Sequence, residues 1–362
     1  MPNKAKIRAT VPAGTRYAAI DIGSDTIHLL VADVREGRDG PQLEVVARSA
    51  VLLELGREVG AHGRFRSDAV KLIGSTVVSY VQKAEGLGAQ LLLAATEATR
   101  EAANGEEVVG QLAHRISHPI RILSGRREAQ LDFVAAQPWL VPDGCQLLID
   151  SGGASTEVVL TEGMARTSTT SIAVGASLLA AGLKGDPPDP LSWALSAARI
   201  GALLPALPAA HPVRAIATGG TVHNLAGLKG SGRRVRPTTL SVEDLHRLSR
   251  ELLGKSSRQL GRASGEEPRR VRLLAPGVLI LAVLLEHYGL GEVTVIPVGV
   301  REGIILAAHV FPNAWWIERD TDGARQTGPE QLAPSASSGE VGGGDRRNPV
   351  LTARQLWPAS SM

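Results

Sequence analysis

Short apolar runs, each stopped by glycines or hydroxyl residues, alternate along this chain with stretches whose apolar positions recur at helical spacing. Residues 17–34 and 146–160 each read as strand, tight turn and strand. Residues 43–53, 90–95, 120–123, 167–174, 214–218 and 293–298 read as further strands. Between them, 67–85 places Val70, Ile73, Val77, Val78 and Val81 at helical spacing, with Ser67 as the expected N-cap. Helices are also expected after Thr99, over 124–136, after Gly175, over 191–204, after Gly219-Gly220-Thr221, over 276–288 and over 301–310. Strands alternating with helices indicate an α/β architecture. Residues 55–65 read as a charged, glycine-rich loop and 1–16 as a loose arm. Residues 313–362 lack periodicity and are rich in Gly, Pro, Ser and charge, the composition of a disordered tail.

Two of these stretches repeat one pattern. In QLLIDSGGASTEVVL an apolar run ends on Asp150, and a turn of two glycines and hydroxyls follows. In YAAIDIGSDTIHLLVADV, aligning Asp21 with Asp150 puts Gly23 on Gly152, Ser24 on Gly153 and Thr26 on Ser155. Glycines let such a turn approach a ligand closely, and successive N–H groups form an anion-binding concavity. Asp150 at the strand end can hold a hard cation beside that anion. A duplicated acidic, glycine-rich turn suggests two halves that face each other across a cleft. Gly219, Gly220 and Thr221 form a third such turn, and Ser124-Gly125 opens a helix; both helix starts suit phosphate. Glu128 in the first turn of that helix has a plainer explanation too, since the helix dipole favours an acid there.

At 362 residues the chain can hold two domains and bury a sizeable core. Aromatics are only 3%, so that core is aliphatic and alanine-rich. A net charge of +3 gives no general nucleic-acid signature. The arginine sets Arg233, Arg234, Arg236 and Arg258, Arg262, Arg269, Arg270, Arg272 are a solvated face or contacts for a long anion. Cys145 is the only cysteine, which excludes an intrachain disulfide and suggests a reducing compartment. The first 16 residues carry no apolar signal core, and the longest apolar stretch, 278–285, is too short to span a bilayer. The expectation is a soluble, cytoplasmic protein with neither membrane nor nucleic acid as partner; a homodimer is a candidate assembly.

Five motifs stand in sequence order: AAIDIGSDT, ATEATREAAN, ILSGRREAQL, LLIDSGGASTEVV, and ATGGT followed by VGVREGII. With them the chain resembles the exopolyphosphatase and guanosine pentaphosphate phosphatase family, of the sugar kinase, heat-shock chaperone and actin superfamily. The resemblance covers about residues 17–312 and implies two duplicated ribonuclease H-like (actin-like ATPase) domains with an interdomain cleft. The first domain would be 15–127, with 300–312 returning to it; the second would be 128–299, and 313–362 a tail. The implied activity is release of terminal phosphate from inorganic polyphosphate, or of the 5′ γ-phosphate from guanosine pentaphosphate, with Mg²⁺. Glu128 matches the family's general base, Asp150 its metal- and phosphate-proximal aspartate, and Glu157 the acid that closes that motif. Asp21, Asp150 and Glu157 are the implied metal carboxylates. Gly23, Ser24, Asp25, Thr26, Gly152, Gly153, Ser155, Gly219, Gly220 and Thr221 fall in the implied phosphate turns, and Arg100 is the implied phosphate clamp.

Three positions depart from the family's usual pattern. Asp25 stands where Asn is usual, and adds negative charge beside a polyanion unless it binds metal. Ala154 stands where a third glycine is usual, which costs on the order of 1–2 kcal/mol if that position has positive φ. Arg127 replaces an acid before Glu128, and is expected to depress the Glu128 pKa and to draw in phosphate. Two other functions fit the same residues: a polyphosphate or alarmone sensor with little turnover, and a kinase or ATPase of the superfamily. The shortness of ATGGTVHNLA as an adenosine pocket argues against the latter.

Overall fold

The computed structural model describes residues 14–37, 40–229 and 237–318. Its first half contains β1 (Thr15–Ile22), β2 (Thr26–Gly37), β3 (Gly40–Leu52), α1 (Leu55–His62), α2 (Ser67–Gly86), β4 (Gln90–Ala95), α3 (Glu97–Glu101), α4 (Gly105–Ile116) and β5 (Ile120–Ile122). Helix α5 (Gly125–Ala136) leads into the second half. That half contains β6 (Cys145–Ser151), β7 (Thr156–Glu162), β8 (Ala165–Ile172), α6 (Ala176–Ala180), α7 (Pro190–Gly201), β9 (Arg214–Thr218) and α8 (Gly220–Lys229). It continues with β10 (Thr238–Ser241), α9 (Val242–Gly254), α10 (Ser257–Ser264), α11 (Pro268–His287) and β11 (Glu292–Val295), and α12 (Val300–Val310) closes the chain of elements.

The duplication is written in the sheets. One sheet runs β3-β2-β1-β4-β5; the other, read from its far edge, runs β8-β7-β6-β9-β11 with β10 added beyond. In both, the third strand pairs antiparallel with the second and parallel with the fourth. Strands buried on both faces read as continuous apolar runs, and β1 shows why. Ala18, Ile20 and Ile22 pack into one core with Ile73 and Val77 of α2 and Val108 and Leu112 of α4. Tyr17 and Ala19, on the opposite face, pack into another with Leu131 of α5 and Ile304, Ile305 and Ala308 of α12. Fully burying side chains such as Ile304 and Ile305 is worth roughly 1.5–3 kcal/mol each. Helix α12 thus returns the chain to the first sheet. Gly303 allows this, because a side chain there would collide with the Leu131 backbone.

Three expectations need correction. Residues 55–62 form helix α1, not a loop, because its first amides are met from outside: Leu53 and Glu54 donate to the Asp25 carbonyl and Gly56 to the Ser24 carbonyl. Helix α11 begins at Pro268, well before residue 276, and carries Pro276 inside it. The expected tail does not start at 313: Trp315 is 4% exposed within the second core, and Arg121 lies 3.8 Å over the Trp316 ring. Residues 319–362, 1–13 and the basic loop around Arg233, Arg234 and Arg236 lie outside the described residues. Among the described residues no helix is long and apolar enough to cross a membrane.

Candidate active site

The glycine-rich turns sit at the carboxyl ends of parallel strands and converge on one cleft of about 460 Å³. Turn 23–26 follows β1, turn 152–155 follows β6, turn 219–221 follows β9, and Thr96 and Glu97 follow β4. Open α/β sheets bind ligands at these strand ends.

The two duplicated turns close identically. Gly23 N–H donates to the Thr26 carbonyl at 3.2 Å, and Gly152 N–H to the Ser155 carbonyl at 3.1 Å. Each then caps a helix with its own carbonyls: Ser24 and Asp25 receive the start of α1, while Gly152 and Gly153 receive the Ala176, Ser177 and Leu178 amides of α6. This leaves the Ser24, Asp25, Gly153 and Ala154 amides without an acceptor among the described residues. Successive open amides of this kind are able to receive an anion. Gly219 is held at φ 99°, and a side chain on it would strike Asp150 and Ser151. Ala154 is not strained: among the described residues only Glu54 and Ser117 are non-glycine residues with positive φ. The cost expected for Ala154 is therefore absent.

The carboxylates enter from three elements. Asp21 is the penultimate residue of β1, opposite His28, and Asp150 the penultimate residue of β6, opposite Glu157. Glu128 arrives on the first turn of α5. Burial raises the Asp21 pKa to about 6, with the Asp150 charge adding to it and Arg301 opposing. Burial and then Asp150 push Glu157 to about 7, although Ser171 donates to its carboxyl at 2.8 Å. Glu128 is pushed well above the usual carboxylate range, by burial first and by Glu157 second, against the pull of Arg100. Oδ1 of Asp21 and Oδ1 of Asp150 are buried and accept no hydrogen bond. Two such oxygens suit a hard cation that takes its other ligands from substrate and water. Among the described residues no group of three or more His, Cys, Asp or Glu is arranged to hold a metal ion alone.

Asp21, Glu128, Asp150, Glu157 and all the turn residues named from the sequence line this cleft. Arg100 does not: its guanidinium goes to Glu128 at 2.5 Å, to Glu97 and to the Leu123 carbonyl, so it holds the glutamate instead of meeting phosphate directly. Arg127 also departs from expectation. It is buried, donates to the Trp315 carbonyl and to Gln130, and does not line the cleft, so Glu128 is raised, not depressed. Asp25 turns its carboxylate onto the Ser177 hydroxyl.

The sequence reading missed Arg48, Arg301, His28 and His223 as lining residues, and of the arginine set 258–272 only Arg270 lines the cleft. Arg301 stood in VREG, a near copy of RREA at Glu128, which was the available signal. It also missed Asp132, which is 1% exposed, lies within hydrogen-bonding reach of the Asp150 carboxyl, and is raised well above the usual range by burial and then by Asp150. Its spacing of four from Glu128 on α5 places both on one helix face and was legible.

Fold and cleft together define a duplicated, two-sheet α/β protein of the actin-like type with a cleft of carboxylates and open amides at its strand ends. The sequence signature of the Ppx/GppA phosphatase family matches residues 30–309, and the chain belongs to that family. An uncharacterized protein of Streptomyces coelicolor is 30% identical over 339 residues, covering 89% of this chain and 99% of that one. Exopolyphosphatase 1 of Mycobacterium tuberculosis is 27% identical over 304 residues, covering 80% and 87%. The crystal structure of an exopolyphosphatase from Cytophaga hutchinsonii superposes with a TM-score of 0.73 at 20% identity, covering 82% of this chain and 98% of that chain.

Proposed function

We propose that this cleft releases the terminal phosphate of inorganic polyphosphate by attack of water, with Glu128 as general base. Glu128 carries the reading. It is a buried carboxyl with a raised pKa, fixed by Arg100, in a cleft lined by turns with open amides. A base works best when its pKa lies near the operating pH. In the reaction the Glu128 carboxylate takes a proton from water, the water oxygen bonds to the terminal phosphorus, and the bridging P–O bond breaks to leave a shortened chain. Phosphoryl transfer asks the protein mainly for positioning and charge neutralisation. The amides of both turns and the cations Arg48, Arg270 and Arg301 supply these. Asp21 and Asp150 would hold Mg²⁺, which when bound neutralises charge on the phosphoryl oxygens.

The exopolyphosphatase relative, aligned over most of both chains, supports polyphosphate as the substrate. Guanosine pentaphosphate offers the same terminal anhydride and is the competing substrate. Phosphate release from medium-chain polyphosphate, with Mg²⁺ and without ATP, tests the proposal, and guanosine pentaphosphate runs beside it. Release from polyphosphate is the expected result. Tight binding without release would make the protein a sensor, and turnover that requires ATP would make it a kinase or ATPase.

A further inference from the structure

The duplicated turns differ at one matched position: Asp25 in the first corresponds to Ala154 in the second. Both turns close with the same hydrogen bond, so the turn itself does not require an acid there. The Asp25 carboxylate instead crosses to the other half of the molecule. It accepts the Ser177 hydroxyl and lies so close to Gly153 that a methyl group there would sit 2.6 Å from the carboxyl carbon. Ser177 is buried, and its backbone amide donates to the Gly153 carbonyl, so the hydroxyl and the turn move as one piece. An anion of the protein thus lies against the turn whose Gly153 and Ala154 amides are open.

We propose that Asp25 is a specificity-determining residue of the phosphate site, a resident carboxylate that a substrate oxyanion must displace to occupy the 152–155 turn. This rests on the reading of the cleft as a phosphate site. The repulsion between Asp25 and a phosphate is offset only by a ligand with further contacts in the cleft, such as those lined by Arg270 and Arg301. A long polyanion makes those contacts. Free phosphate, the product, makes few of them. The carboxylate's return to Ser177 therefore favours product departure, and Asp25 sets the discrimination between chain and product. Burial and the nearby Glu54 charge already make the carboxylate a reluctant anion there, with Ser177 and Arg270 opposing.

The test measures binding of inorganic phosphate and of tripolyphosphate by calorimetry to wild type, Asp25→Asn and Ser177→Ala, with Mg²⁺ absent and present. Asn keeps the shape and can still accept the Ser177 hydroxyl, but carries no charge. Asp25→Asn is expected to bind inorganic phosphate about tenfold tighter, about 1.4 kcal/mol, with a smaller gain for tripolyphosphate. Ser177→Ala frees the carboxylate without removing its charge and should fall between wild type and Asp25→Asn. Equal or weaker phosphate binding by Asp25→Asn overturns the proposal, as does absence of phosphate binding by all three proteins. Tighter binding by Asp25→Asn in a protein that hydrolyses no polyphosphate would uphold this role of Asp25 while rejecting the reaction. If Asp25→Asn fails to fold, Ser177→Ala decides: no gain in phosphate affinity overturns the proposal.

Discussion

Helices α5 and α12 follow equivalent strands of the two sheets, and each opens on an Arg-Glu pair: Arg127-Glu128 and Arg301-Glu302. The pairs are used in opposite ways. At α5 the glutamate lines the cleft while the arginine turns to the Trp315 carbonyl. At α12 the arginine lines the cleft, while the glutamate accepts the Gly299 amide at 3.0 Å and pairs with Arg48 at 3.1 Å. The position of each pair in its helix explains the difference. In α5 the third residue is Arg127, whose amide donates to the Ser124 hydroxyl, and Glu128 comes fourth, out of reach-back position. In α12 the glutamate is the third residue, and its carboxylate reaches back to the Gly299 amide. Duplication provided two equal scaffolds, and a one-residue offset of the pair decided which half turns a glutamate into the cleft and which an arginine.

The largest effects that would break this comparison come from its arginines. Arg127→Met should cost roughly 1.5–3 kcal/mol of stability, because charged hydrogen bonds to the Trp315 carbonyl are lost. Its effect on KM should be small. Arg301→Met should do the reverse, raising KM for polyphosphate about tenfold or more with little change in melting temperature. Matching losses of stability from both variants, with KM unmoved, would show that the two arginines are equivalent structural groups.

A smaller effect is the pH dependence of folding. Asp21 and Asp25 are raised to about 6 and Glu157 to about 7. The unfolded chain releases these protons at ordinary carboxylate values, so over this window the native state holds more protons than the unfolded state. Stability is therefore greatest near the ordinary carboxylate range and falls as pH rises through about 6 to 7. Melting temperatures of the ligand-free protein should drop across this interval. Asp21→Asn should flatten the slope, and Mg²⁺ should restore stability most at the alkaline end. A flat profile would mean that these carboxyls are not buried as charges in the native state.

Much of this was legible in the residues. The continuous apolar run QLLLAA gave β4 its observed bounds, and the Asp21 and Asp150 stretches announced the duplicated turns that the sheets confirm. Chemistry close to the strand ends was legible because glycines, hydroxyls and acids there have few other uses. What failed depended on contacts distant in sequence. Helix α1 is begun by carbonyls of the first turn, some thirty residues earlier, and its glycines disguised it. The direction of Arg127 depends on Trp315, in a stretch whose composition read as tail. Arg100 was expected to clamp phosphate, but Glu97, Glu128 and the Leu123 carbonyl claim its guanidinium.

The most direct measurement sets Glu128→Gln beside Glu302→Gln and reads turnover and melting temperature for both. Loss of a general base should lower kcat for Glu128→Gln by roughly 10²–10⁴-fold. Its melting temperature should hold or rise, since a buried ionisable group is gone. Glu302→Gln should keep turnover within a few-fold and lose up to roughly 2 kcal/mol of stability from the weakened cap. If Glu128→Gln turns over polyphosphate within a few-fold of the wild-type rate, Glu128 is not the base and the asymmetry between the two helices has another purpose.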